Sequence, residues 1–291
     1  MKNNKQILVT GGAGFVGTNL IKLLLKKTSY KIVSIDNYTS GTKLNHIRSS
    51  RVKYIKGNTA NISKFVKNPN KIKTIFHFGE FARIYQSFLK MDQCIESNSI
   101  GTNAIFNFCL KHKVKLIYSA TSASLGNKGN DRNLSPYAFT KAKNLELLEN
   151  LKKWFNFKYE VIYFYNVYGP HQICRGQMST VIGIFEDHYK RKEPLPVVLP
   201  GTQTRRFTHI SDTVEICYLA WKKNLCRHYS IASKKSYSVL EVAKIFKSKI
   251  KFLPRRQGER YASALTKINL SNKIYKHFGK IELKDYIHNL I

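Results

Sequence analysis

The sequence predicts an α/β chain: a doubly wound parallel sheet with a smaller, interleaved C-terminal unit. Two observations predict it. Short apolar runs alternate with longer amphipathic ones through the first half of the chain, and past Gly169 that alternation gives way to an irregular pattern. Strand–helix alternation makes successive strands parallel and covers both faces of the sheet with helices.

The strands are read in order from QILVT (6–10), KIVSID (31–36), VKYIKG (52–57), TIFHF (74–78), VKLIYSA (114–120) and YEVIYFY (159–165). Each is a short run rich in β-branched and aromatic residues. Residues 14–27, roughly 88–112 and 137–155 read as helices. The first unit is expected over 1–168, with a segment returning to it at about 206–233. The second unit is then 169–205 and 234–291.

Composition bounds the partners. The 291 residues are 43% hydrophobic, enough for a soluble chain with a sizeable core. No run approaches the roughly 18 apolar residues of a membrane span. The first residues, MKNNKQILVTGG, carry no apolar leader, so a cytoplasmic location is expected and no membrane partner. Five scattered cysteines with no C-x-x-C spacing read as reduced thiols, and no metal site is expected. The net charge of +33 would attract polyanions. It is spread from end to end without a nucleic-acid motif, and the chain is also rich in Asn, Ile, Tyr and Phe. Codon bias explains that pattern, so no specific nucleic acid is expected.

The first strand runs into Gly11, Gly14 and Gly17, followed by a helix. Glycine at this spacing allows a tight turn, close approach of the backbone to a pyrophosphate, and tight helix–strand packing. The helix N-terminus then offers free N–H groups and its positive dipole end. Asp36 ends the next strand, 19 residues after Gly17. A carboxylate there binds the ribose hydroxyls of a dinucleotide and repels a 2′-phosphate, which favours NAD over NADP.

SPYAFTKAKN (135–144) places Tyr137 and Lys141 four residues apart. With 17 Tyr and 38 Lys in the chain, about two such pairs arise by chance, and two occur: this one and Tyr218/Lys222. Spacing alone decides nothing. The surroundings do. Ser135-Pro136 has the form of an N-cap and first helical turn, and the pair shares one helix face. A neighbouring ammonium is expected to lower the phenol pKa from about 10. The second pair lies in TVEICYLAWKKN, which reads as a packed tyrosine and a solvated lysine.

Nine stretches in order resemble the extended short-chain dehydrogenase/reductases, the NAD-dependent sugar-nucleotide epimerase/dehydratase family: VTGGAGFVGTNL, IDNYTSG, IFHFGEFARIYQS, NSIGTNAIFNFC, LIYSATSASLGN, SPYAFTKAKN, YFYNVYGP, GTQTRRFTHISDTVE and LPRRQGE. The resemblance is greatest to UDP-glucose 4-epimerases and their UDP-N-acetylglucosamine relatives. It implies a Rossmann fold over 1–168, substrate binding by the second unit, and a homodimer formed through the helices near 88–112 and 137–155. It also implies roles for residues. Tyr137, Lys141 and Thr121 are the catalytic set, with Ser119, Ser122 and Ser124 as neighbours that could be confused with Thr121. NAD is held by Gly11, Gly14, Phe15, Val16, Gly17, Asp36, Asn37, Asn58, Thr59, Phe78, Gly79, Glu80, Asn98, Ser119, Tyr137, Lys141 and Phe164. A UDP-sugar is met by Arg83, Thr121, Ser122, Asn166, Arg205, Arg256 and Ser263. Arg206 is the adjacent rival of Arg205, and Arg255 of Arg256. Arginine suits a diphosphate through bidentate pairing.

The implied reaction is C4 epimerisation through a 4-keto sugar. Tyr137 removes the C4-hydroxyl proton while Thr121 relays it or steadies O4. The 4,6-dehydratases of the family carry an acidic pair directly after the Ser/Thr, and the UDP-glucuronate decarboxylases a Glu two residues after it. Here Thr121 is followed by Ser122-Ala123, which favours redox at C4 over both alternatives. A non-catalytic NAD or sugar-nucleotide binder is the rival from another class. Departures from the family bear on the substrate. Glu80 replaces a small residue, leaving a carboxylate for a ribose or sugar hydroxyl or for an unassigned step. Asn58 replaces an Asp, Leu125-Gly126 replaces Tyr-Gly, and only 15 residues separate Thr121 from Tyr137. Ser263 falls near the position thought to gate N-acetyl sugars.

Overall fold

β-Branched and aromatic runs with no room for polar alternation must be buried on both faces, and the central strands of the sheet are. The computed structural model describes residues 5–124, 133–258 and 274–291. In it the strands β1 Gln6–Thr10, β2 Lys31–Asp36, β3 Val52–Lys56, β4 Ile72–His77, β5 Lys115–Thr121, β6 Tyr159–Phe164, β7 His228–Ala232 and β8 Ile274–Phe278 form one sheet. Their order across it is β3-β2-β1-β4-β5-β6-β7-β8, and every pair is parallel. β8 comes from the stretch 234–291 that the sequence reading gives to the smaller unit, so that stretch contributes to both.

The strand order reverses between β1 and β4. In an open parallel sheet the crevice beyond the carboxyl ends of two such strands is where ligands bind. The register aligns those ends: Thr10 lies beside Ile35 of β2 and beside His77 of β4. Gly11, Asp36 and Phe78 therefore emerge together at one edge.

Helices cover both faces. α1 Phe15–Lys27 buries Leu20, Ile21 and Leu24, and shares an apolar cluster with Ile210, Val214 and Cys217 far along the chain. On the opposite face Ile105, Phe106 and Phe108 pack with Leu148 and Leu151. The segment expected as one helix over roughly 88–112 is broken. It runs as α2 Ile84–Leu89, α3 Met91–Ile95, a π-helical stretch Glu96–Gly101, and α4 Thr102–His112. Lys90, at φ −132° and ψ 50°, separates α2 from α3. The π stretch turns Asn98 fully inward, where its Oδ1 accepts from Phe81 N at 2.6 Å and its Nδ2 donates to Phe81 O at 3.0 Å. The wide turn satisfies a backbone that would otherwise be buried without partners.

α5 Pro136–Phe155 begins with Pro136 at its first position and Ser135 as N-cap, whose Oγ accepts from Ala138 N at 3.1 Å. This is the start expected from the sequence. Beyond it lie α6 Val181–Lys190, α7 Ile210–Lys223, α8 Val239–Ile245 and α9 Leu283–His288. Helix α7 belongs to the large sheet, while α6, α8 and α9 contribute Ile182, Phe185, Val242, Phe246, Leu283 and Ile287 to a separate apolar cluster.

A fully buried carboxylate ties β7 to the sheet. Glu160, on β6, accepts from Lys115 Nζ at 2.8 Å, Cys226 N at 2.9 Å and Arg227 N at 2.6 Å. These donors come from the neighbouring strand and from the residues leading into β7. Glu160→Ala leaves a partly buried ammonium and two backbone N–H groups without their acceptor, and is expected to cost about 3 kcal/mol or more. Urea unfolding monitored by circular dichroism checks this.

Candidate active site

The crevice at the strand reversal is a cavity of about 300 Å³, lined from Gly11 and Asp36 at one end to Tyr137 and Lys141 at the other. Its walls come from the β1–α1 turn, the ends of β2 and β4, the start of α5, and the segment around Ile173 and Met178.

At the nucleotide end the glycines are required by contact. Gly11 sits at φ +67°, and a Cβ there would meet Gly79 N at 2.8 Å. A Cβ on Gly17 would meet Gly11 O at 2.2 Å. The first turn of α1 holds no acidic residue and its N-cap, Gly14, offers no side chain, so its N–H groups are left for an anion. Asp36 is buried but still lines the crevice. Its oxygens accept from Ala13 N at 2.9 Å and Tyr38 N at 2.8 Å. Burial pushes its pKa up, against the pull of those N–H groups. A side chain at Gly41 would press on that carboxylate. A cradle closed by glycines with a carboxylate beyond it fits a dinucleotide's pyrophosphate and ribose.

At the other end Tyr137 is 9% exposed, with the Thr121 side chain close enough to favour its ionised form. Thr121, the last residue of β5, also accepts from Ala123 N at 3.2 Å. Burial pushes the Tyr137 phenol up to about 12, with Thr121 and Arg83 pulling it back and Glu80 adding to the rise. The sequence led us to expect a phenol lowered by Lys141. That expectation is corrected: Lys141 Nζ donates to Glu80 Oε2 and to Ser119 O, so its charge is neutralised where it sits. Burial also lowers the Lys141 pKa, against the opposing pull of Glu80.

Glu80 lines the crevice yet faces a buried polar cluster. Its Oε1 accepts from Tyr118 Oη at 3.0 Å, Thr102 Oγ1 at 3.1 Å and Asn144 Nδ2 at 3.4 Å. The cluster continues through Thr102 Oγ1 to His77 Nε2 at 2.9 Å, and from His77 Nδ1 to Thr10 Oγ1 at 2.7 Å. Thr10 Oγ1 accepts from Phe78 N and Gly79 N at 3.1 and 3.0 Å. The side chains behind the site thus pin the turn that closes against Gly11.

The structure sorts the remaining expected residues. Phe15, Val16, Asn37, Asn58, Phe78, Gly79, Arg83, Ser119 and Phe164 line the crevice with those already named. Arg83 donates to Met178 O at 2.9 Å and to Ala82 O at 2.7 Å. Asn58 donates to Glu96 Oε1 at 2.9 Å. Asn98 is turned away to hold Phe81, and Thr59 is buried against Gly101; neither is a lining residue. Ser122 follows Thr121 in a short turn. Asn166 donates to Arg206 O at 3.3 Å. Arg206 is tied to the carbonyls of Ser233 and Lys234, a structural role that separates it from Arg205, whose Nη1 meets Thr204 O at 2.9 Å. Arg256 stacks over the Tyr85 ring at 5.4 Å. Thr121, Ser122, Asn166, Arg205 and Arg256 stand outside the lining. Ser263, Leu125 and Gly126 lie outside the described residues. Thr39, Ser40, Gln93, Ser97, Ile173 and Met178 line the crevice without having been expected. Thr39 and Ser40 follow Asp36-Asn37 after one residue, Tyr38, a largely polar run that could have suggested them, but Ile173 and Met178 carry no motif.

The family model described as "NAD dependent epimerase/dehydratase family" matches residues 7–232. The chain belongs to that family. It is 29% identical over 260 residues to an ADP-L-glycero-D-manno-heptose-6-epimerase of Brachyspira hyodysenteriae, covering 83% of this chain and 80% of the other. It is 26% identical over 307 residues to a putative UDP-glucose 4-epimerase of Methanocaldococcus jannaschii, covering 98% and 97%. A solved structure of the Bacillus cereus UDP-glucuronic acid 4-epimerase with UDP-glucuronic acid and NAD superimposes with a TM-score of 0.83 at 25% identity, covering 98% of this chain and 100% of that one. NAD is the cofactor of the family, and the glycine cradle and Asp36 fit it.

His77 gives a pH test of the cluster behind the site. Burial pushes its pKa down from 6.5 to about 4, so the folded protein holds it neutral while the unfolded chain binds a proton. Stability from this group is therefore present above pH 6.5 and lost as pH falls toward 4, by up to ~3 kcal/mol. Urea midpoints measured between pH 6.5 and 4.5 are expected to fall more steeply for the wild type than for His77→Gln.

Proposed function

We propose that the chain is an NAD-dependent 4-epimerase of a UDP-sugar, with UDP-glucose and UDP-galactose, or their N-acetyl forms, as substrates. The observation that carries this reading is Tyr137 in the crevice with the Thr121 side chain beside it, followed by Ser122 and Ala123 in place of the carboxylates a dehydratase or decarboxylase needs. The nearby carboxylate of Glu80 is held by Lys141 and three other donors, which removes it as an acid for C6 or a base for C5.

Bound NAD supplies the acceptor, and then the donor, of the C4 hydride. The chain's own residues move the proton. Tyr137 takes it from O4, with Thr121 Oγ1 holding the oxygen in line. The phenol's raised pKa leaves little of it in the basic, ionised form. A hydroxyl partner and a neighbouring guanidinium, Arg83, both favour the phenolate. Arg205, Arg256 and Asn166 serve the diphosphate and uridine side, with 169–205 and 234–258 forming the substrate unit around them. We also propose a homodimer through α3, α4 and α5, on which Met91, Trp154 and Phe155 stand exposed, the last two at 63% each. Among the described residues no helix is long and apolar enough to cross a membrane, and we propose a cytoplasmic location.

Proton NMR of the purified protein with UDP-glucose, UDP-galactose and the two N-acetyl sugars, without added cofactor, tests the reading. The C4 epimer is expected to appear. Tyr137→Phe is expected to lower the rate by about 10³-fold or more. All four sugars unchanged with NAD added would overturn the assignment, and UDP-glucuronate and dTDP-glucose would then be tested for decarboxylated or keto products.

A further inference from the structure

Glu80 is the acidic residue nearest the chemistry, and the proposed reaction gives it no step. It follows β4 on the turn that faces Gly11, and its side chain is only 2% exposed. An ionised carboxylate offers about four lone-pair sites. Tyr118 from β5, Thr102 from α4 and Asn144 from α5 share Oε1, and Lys141 from α5 holds Oε2. So enclosed, the carboxylate offers almost no surface to a ribose or sugar hydroxyl.

Lys141 carries three N–H donors on a flexible four-carbon stem. Its side chain is 4% exposed. Glu80 takes one donor, Ser119 O takes another, and the Tyr118 ring lies 4.6 Å from Nζ. One N–H remains, on a residue that lines the crevice. A lysine held by Ser119 O alone could swing on its stem; held also by a carboxylate that three structural elements grip, it cannot.

We propose that Glu80 is a positioning residue, which fixes the Lys141 ammonium under the cofactor cleft and so governs NAD affinity and turnover without touching either ligand. The inference rests on the reading of Tyr137 and Lys141 in the preceding subsection. It accounts for the three uncharged donors aimed at a buried carboxylate.

The test uses the full chain stripped of cofactor, with Glu80→Gln, Lys141→Met and the double variant. NADH affinity is read by calorimetric titration with no sugar present, so a failure of the 4-epimerase reading leaves it interpretable. Glu80→Gln is expected to weaken NADH binding roughly tenfold, as the loss of one charge-assisted hydrogen bond implies. The double variant is expected to bind no more weakly than Lys141→Met, because Glu80 acts through Lys141. Where sugar turnover is observed, kcat of Glu80→Gln falls about 100-fold while KM for the sugar stays within about twofold. Tyr118→Phe loosens the carboxylate and leaves both charges in place; it is expected to weaken NADH binding about threefold, and it carries the test if Glu80→Gln does not fold. Wild-type NADH affinity in Glu80→Gln or Tyr118→Phe, or losses that multiply in the double variant, would overturn the proposal.

Discussion

Beneath the crevice an ammonium and a carboxylate meet out of water, and much of the site is arranged around that meeting. Desolvation makes such a pair costly unless every remaining donor and acceptor is matched. The matching is done here by Tyr118, Thr102, Asn144 and Ser119, which come from one strand and two helices. A pair satisfied from so many directions holds those elements in one relation to one another. The same cluster runs on through His77 to Thr10, whose hydroxyl receives the N–H groups of Phe78 and Gly79. The position of the glycine cradle and the position of the lysine are thus set by one connected network.

The sheet supplies the frame in which that network can exist. Parallel strands in the order β3-β2-β1-β4-β5-β6-β7-β8 bring their carboxyl ends to a single edge and leave a gap only where the order reverses. A dinucleotide needs two different surfaces, a backbone cradle for its phosphates and a side-chain surface for its reactive end. The turn after β1 supplies the first, and the end of β5 with the start of α5 supplies the second. Glu160 performs a comparable service at a distance, joining β6 to β7 so that the later part of the chain is anchored to the same sheet.

Neutralising Lys141 has a chemical consequence. A free ammonium beside a phenol would lower its pKa; an ammonium already paired with Glu80 does so far less, and burial then dominates Tyr137. Ionisation of the phenol consequently leans on Thr121 and Arg83. The base is strong when formed, and its formation is coupled to what enters the crevice beside it.

The family, the sheet and the cradle were legible in the residues because each rests on local requirements. Gly11, Gly14 and Gly17 answer to contacts within one turn, Asp36 to the end of one strand, and Ser135-Pro136 to one helix start. Such features carry their geometry in their spacing. The long helix over roughly 88–112 was misread as continuous because its π stretch serves Phe81, a partner 17 residues back that no periodicity reveals. Asn98 and Thr59 matched a motif but were drawn inward by that same packing. Ile173 and Met178 reach the crevice from a loop with no motif at all. Tyr137 and Lys141 were recognisable as a pair, yet the sequence could not say that the charge of Lys141 is met by Glu80, 61 residues earlier. The sequence by itself determined the family, the parallel sheet and the glycine cradle, because each rests on local spacing. Only the tertiary structure decided the ionisation and aim of Tyr137 and Lys141, because burial and long-range charge pairing arise from neighbours that the chain order does not place side by side.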